Sequence, residues 1–221
     1  EPLRITATLV VVNEAFMRAV PSLDLVLTPN GFGIVSNQNV APASRDRVAR
    51  LIASLEANRD NCIEQLVRYL HANGEWVTGS ARRWFAATLF PNIDLANLCG
   101  FTEHRWANYL GLRSKAIDVE QRIAEEYIST EQLAVFREEV LSMAWDFSIT
   151  ASCHSQIIER LRSIIVIALQ DKPLNIQSLR DIVDFMRKHE QQFQEFRHSR
   201  TYKLFEPPIF ENKKNAHGYF F

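Results

Sequence analysis

Leu133, Phe136, Val140, Ala144, Phe147, Ala151, His154, Ile158, Leu161, Ile165 and Ala168 step along the chain by threes and fours, with no glycine or proline between them. That spacing puts every one of them on one stripe of an α-helix. Ser129, with Gln132 three residues later, reads as a capping box at its start. Pro173 marks its end. The pattern predicts one helix over 130–170, roughly 60 Å long at about 1.5 Å per residue. A stripe of that length must be covered. It pairs with another chain or packs inside its own, and long helices joined by short turns favour an internal antiparallel bundle.

The rest of the chain is punctuated in the same way. Leu3 to Val20 is apolar-rich, ends at Pro21 and exceeds ordinary strand length, which predicts a helix despite the β-like Leu9-Val10-Val11-Val12. A second helix is expected from Ser44 to the stop at Asn73-Gly74, with Val48, Leu51, Leu55, Cys62, Leu66 and Leu70 at helical spacing. Between 75 and 100 the signal weakens to a short helix around Trp76, Trp84 and Phe85, broken at Pro91 and Gly100. A helix over 102–128 follows. The last begins near Asn175 and carries Ile176, Leu179, Val183, Met186, Phe193 and Phe196 on one face.

One segment breaks this helical rhythm. Leu23, Leu25 and Leu27 alternate with Asp24, Val26 and Thr28, and Thr28-Pro29-Asn30-Gly31 supplies a turn. The reading is a β-hairpin over about 23–36, projecting from the helical body, with Pro29, Asn30, Gly31 and Phe32 at a tip that touches a partner. The fold class expected is therefore mainly α. It is a long-helix antiparallel bundle, residues 1–200, with one projecting β-hairpin and a C-terminal aromatic arm, residues 201–221.

The arm is the second unusual feature. Basic residues mix there with Tyr202, Phe205, Phe210, Tyr219, Phe220 and Phe221. Ends of chains that stay unpacked are poor in aromatics, so these six residues are expected to fold back or to dock on a neighbour. Docking on a neighbour is the reading adopted here.

No constellation for catalysis is visible. Asn30-Gly31-Phe32-Gly33 lacks the third glycine and the lysine of a phosphate loop. His189-Glu190-Gln191-Gln192-Phe193 has phenylalanine where a zinc helix needs its second histidine. Cys153 and His154 are neighbours on a helix and point about 100° apart. His154 lies on the apolar stripe, as a core or seam histidine with a hydrogen-bond partner. None of the acids Glu125, Glu126, Glu138, Glu139 and Asp146 on the long helices is followed at three residues by the histidine that a carboxylate metal site needs. The expectation is no catalytic residue, no cofactor and no metal: not an enzyme.

Bulk composition agrees with a binding role. The 221 residues carry a net charge of −1, against the basic excess of a dedicated nucleic-acid protein. Cys62, Cys99 and Cys153 are odd in number and widely spaced, which predicts free thiols in a reducing cytoplasm. No apolar run reaches spanning length, so no membrane partner is expected.

Two strings carry a resemblance. Ser22-Leu23-Asp24-Leu25-Val26-Leu27-Thr28-Pro29-Asn30-Gly31-Phe32-Gly33-Ile34-Val35-Ser36 with Val40-Ala41-Pro42-Ala43-Ser44-Arg45-Asp46-Arg47-Val48 is one. Phe210-Glu211-Asn212-Lys213-Lys214 with Gly218-Tyr219-Phe220-Phe221 is the other. Together they resemble uncharacterised virion structural proteins of phages and prophages of anaerobic gut bacteria. The resemblance implies a head–tail connector or adaptor, held by contacts with other virion proteins or with copies of itself. It implies the bacterial cytoplasm during assembly and the virion afterwards, and a segment upstream of Glu1. It brings no catalytic residues. A DNA-binding or packaging accessory, using the basic tail, is the alternative.

Overall fold

The computed structural model describes residues 1–22, 25–28, 31–34, 44–71, 76, 79–143 and 152–206. Helix α1 spans Pro2–Ala19 and continues as a 3-10 turn, Val20–Ser22. Helix α2, Arg45–His71, packs along α1. In the weak stretch the described residues include two short helices, α3 at Ser80–Phe85 and α4 at Asp94–Leu98. Helix α5, Arg105–Ile123, runs into a π turn, Ala124–Ile128. Then come α6 (Thr130–Met143), α7 (Cys153–Leu169), α8 (Ile176–Lys188), and two last turns, α9 (Gln194–Arg197) and α10 (Arg200–Leu204).

Two parts of the expected fold class are corrected. The first is the single helix over 130–170. It is not one helix: α6 is described over Thr130–Met143, and Ser152 starts α7 afresh with extended backbone (φ −76°, ψ 162°), its hydroxyl accepting from the Ser155 amide. A serine with this geometry is a helix start, so the stripe of apolar residues cannot be one rod. The second is the projecting β-hairpin. Outside residues 23–43 the described fold is 80% helix and contains no strand. Leu25–Thr28 and Gly31–Ile34 align only with each other, and the turn residues Pro29 and Asn30 lie outside the described residues. The fold class is helical, with no β element in its packing.

The last expected helix is also shorter than its pattern. It starts where Asn175 caps it, accepting from the Ser178 amide, and stops at Lys188. Phe193 and Phe196 still reach the core, from the turn after α8 and from α9. Ile176 does not; it is 54% exposed.

The core sits among α4 to α9. Tyr109, Phe90, Phe136, Phe193 and Phe196 are fully enclosed there. Tyr109 keeps its hydroxyl satisfied by donating to the Phe90 carbonyl at 3.0 Å. At the corner between the π turn and α6, Ser129 alone makes the connection. Its φ of +72° is a conformation usually left to glycine. Its hydroxyl accepts from the Gln132 amide, while the Gln132 side chain, instead of closing a capping box, accepts from the Phe196 amide 3.2 Å away.

One carboxylate lies inside this core. Glu120 of α5 is 1% exposed. Its Oε1 accepts from the Thr88 hydroxyl at 2.7 Å and the Leu89 amide at 2.9 Å; its Oε2 faces Nε and Nη2 of Arg137 at 2.9 and 2.8 Å. Burial pushes the carboxyl up, and Arg137, Thr88 and Leu89 pull it back. Arg137→Met leaves that carboxylate enclosed without its counter-charge. The expected cost is about 3–5 kcal/mol, read by urea unfolding.

His71, at the end of α2, makes edge contacts with the rings of Trp76 and Phe85. Burial, with the nearby Arg82 charge, pushes its imidazole down to about 4. The unfolded chain takes up this proton near the ordinary value of about 6.5, the folded chain only near 4. The contribution of His71 is therefore fully present above pH 6.5 and is lost as pH falls towards 4. Thermal melts across that window should show a decline that His71→Phe flattens.

Candidate protein–protein interface

Helix α1 has two apolar faces. One, with Thr6, Val10, Met17 and Val20, is covered wholly or in part, and α1 packs on α2. The other is Ile5, Leu9, Val12 and Phe16, spaced four, three and four apart. These are 51%, 44%, 51% and 51% exposed, and the neighbouring Val11 is 67% exposed. One helix stripe with this many large apolar side chains in water is unusual for a free surface. The α1–α2 pair has little core of its own: of the residues in α1 and α2, only Thr6, Asp60 and Val67 are buried.

Charges do what the thin core does not. Arg59 of α2 is held by three acids: Glu14 on α1 at 2.8 Å, Glu56 at 3.2 Å and Asp60 at 2.7 Å. Glu14 also takes Arg18 at 2.6 Å. Its two arginine partners hold its carboxyl below the usual range. Asp60 is 1% exposed. Its second oxygen accepts from the Trp106 amide at 3.1 Å, in the first turn of α5. The residue before that helix, His104, has φ +50° and offers no side-chain cap. Asp60 therefore caps α5 from another helix and meets the positive end of its dipole. Glu56 accepts from His104 Nδ1 at 2.7 Å, which raises the imidazole, and Asn61 accepts from Arg105 at 2.6 Å. The pair is thus tied to the body by directional polar contacts around a cavity of about 360 Å³.

The residues expected to make contacts fall in several places. Pro29 and Asn30 lie outside the described residues. Of Gly31 and Phe32 only the backbone is described. Tyr202 and Phe205 pack on their own chain: the Tyr202 hydroxyl donates to Glu190 at 2.8 Å, and the Phe205 ring lies 6.2 Å from that of Tyr127. The Phe205 carbonyl accepts from Arg187 at 2.6 Å. Phe210, Tyr219, Phe220 and Phe221 lie outside the described residues.

His154 places Nδ1 2.6 Å from Glu139 and Nε2 2.7 Å from the Gln192 carbonyl, with its ring stacked on Phe193 at 4.8 Å. It joins α6, α7 and the turn after α8, as a seam histidine. Cys153 is a free thiol, as are Cys62 and Cys99. Among the described residues, no group of three or more His, Cys, Asp or Glu side chains is placed to hold a metal. Among them, too, no helix is long and apolar enough to cross a membrane.

Sequence reasoning missed the α1 stripe and the Arg59–Asp60 junction. The stripe had a signal: Leu3 to Val20 has too many apolar residues for one face. The junction had none, because nothing local shows that Asp60 points inward.

Asp60→Ala removes the cap of α5 and one partner of Arg59. Hydrogen exchange should show α1, α2 and the first turn of α5 losing protection, with α6 to α8 retaining theirs. The loss expected is about 3 kcal/mol.

Residues 1–86 match a family of unknown function (DUF6712), a stretch that takes in α1, α2 and α3 and leaves out the core around α5. No curated protein and no solved structure matches the chain.

Proposed function

We propose that this protein is a structural or assembly component that works by protein–protein contact, of the head–tail connector or adaptor kind in a phage-derived particle. The observation that carries the reading is the stripe Ile5, Leu9, Val12 and Phe16, half in water on a helix that ion pairs hold in a fixed direction. Covering the exposed half of each side chain is worth on the order of 1 kcal/mol. Four together are enough to favour association of aligned copies and too few to fold the helix alone. The sequence beyond Glu206, with Phe210, Tyr219, Phe220 and Phe221, supplies a second adhesive element. Virion neighbours or further copies of this chain are its partners.

Leu9→Glu with Val12→Glu in the full chain tests the stripe. The parent should form oligomers at micromolar concentration by light scattering. The double variant should be monomeric, with helicity by circular dichroism unchanged. A parent that stays monomeric sinks self-association. The particle itself is tested by mass spectrometry of purified particles induced from the host; absence of this chain removes the virion role.

Truncation belongs after Glu206, since Phe205 packs on the body. The shortened chain should melt within a few degrees of the parent, as surface changes cost about 0.5 kcal/mol or less, and should assemble poorly. Early melting at unchanged oligomer size would place the tail on its own body.

A further inference from the structure

Arg162 is the least satisfied cation of the core region. It points from α7 over the ring of Phe90, 5.0 Å from its centroid. Its Nε is buried and has no hydrogen-bond partner among the described residues. No ion pair to a described residue is formed, although Glu159 lies one turn earlier on the same helix. Arg162 lines an open groove of about 500 Å³ with Leu98, Glu159, Ser163, Val166 and Ile167. Leu98 and Ile167 are 49% and 42% exposed there. Beyond the ridge of Glu159, Ser163 and Ile167 lies a second open groove of about 650 Å³, with Arg160, Asn175 and Ser178 on its wall.

The juxtaposition has a specific chemistry. A guanidinium carries five N–H donors in a planar fork and keeps its charge at any ordinary pH. Where it is partly enclosed, leaving those donors without acceptors is costly. A carboxylate matches the fork with two parallel hydrogen bonds. Leu98, Val166 and Ile167 make part of its wall apolar, and a free inorganic anion would leave them uncovered. An acid beside a leucine or an aromatic residue satisfies both.

We propose that the Arg162 groove is a docking site for a partner segment that presents a carboxylate next to an apolar side chain. The carboxylate pairs with Arg162, and the apolar group lies on Leu98, Val166 and Ile167. Glu159 on the rim opposes entry of the acid and tunes the affinity. This surface is separate from the α1 stripe, so it gives the protein a second kind of contact, selective for charge where the stripe is selective for shape alone.

Phenylacetate is the probe, because it joins one carboxylate to one apolar ring. It is titrated into the full-length protein, and the Arg162 Nε–Hε signal is followed by nitrogen-edited NMR, assigned by its loss in Arg162→Met. The expected result is a saturable shift in the millimolar range. Phenylacetamide, which keeps the ring and loses the charge, should bind roughly tenfold more weakly or worse. Glu159→Gln should tighten phenylacetate binding. Arg162→Met keeps the packing on Phe90 and should abolish the response of its neighbours. If that variant does not fold, Arg162→Lys keeps a charge without the fork and should weaken binding. The proposal is overturned by no saturable shift, by equal binding of phenylacetamide, or by a response that survives Arg162→Met or is unchanged in Arg162→Lys. Inorganic phosphate binding in place of phenylacetate also overturns it, since that marks a site for a free anion.

Discussion

Glu120 sets the terms for the whole body of the molecule. A carboxylate at 1% exposure must be met on every side, because removing it from water costs several kcal/mol. Its four contacts reach it on α5 from two directions: the turn after α3, through Thr88 and Leu89, and α6, through Arg137. Apolar side chains tolerate sliding past one another. A charge-assisted hydrogen bond, here from Arg137 Nε, is directional and does not. The angle between α5 and α6 is thus fixed by charge, and the aromatic residues fill the space so defined. Tyr109 repeats the device on a smaller scale, holding the Phe90 carbonyl from within the same core.

Much of this was legible in sequence, and the misses have physical causes. Helix starts were readable where a polar residue precedes an apolar period, as at Asn175. The α1 helix was readable from its length, even with Leu9-Val10-Val11-Val12 inside it. The break between α6 and α7 was hidden by phase. Two heptads separate Val140 from His154, so the stripe stays in register across the fresh helix start at Ser152. Periodicity reports which residues face the core, not whether the backbone between them is continuous. Phe193 and Phe196 show the same effect at the far end of α8. The alternation over Leu23 to Thr28 shows the opposite weakness, since a short period-two run adds no β layer to a body already packed from helices.

The polar interior was not legible at all. Glu120, Asp60 and Arg162 sit in sequence among charged residues that face water. Local pattern gives no reason to separate Arg162 from Arg160, or Glu120 from Asp118. Their burial is decided by what packs over them. For the same reason the α1 stripe could be suspected from an excess of apolar residues but not placed, because either face of α1 could have met α2.

The α1–α2 pair adds buried charge to the usual arrangement, which suits the role proposed for it. In most helix pairs apolar residues lie between the helices and charges lie outside. Here Arg59 and Asp60 are drawn inward, with Glu14 and Glu56 partly covered beside them, while Ile5, Leu9, Val12 and Phe16 face water. An apolar seam would hold the pair more strongly but would let it rotate. The Arg59 contacts and the Asp60 cap on α5 fix its direction instead. A contact element in an assembly needs that property first, because each copy must present its adhesive face at the same angle to the body. Adhesion can then come late, from a stripe whose apolar surface is covered only when a neighbour arrives. In the proposed role, stability of the free chain rests on the Glu120 core, orientation on the Arg59 junction, and association on the stripe. The three can vary separately, since no residue named for one is shared with another.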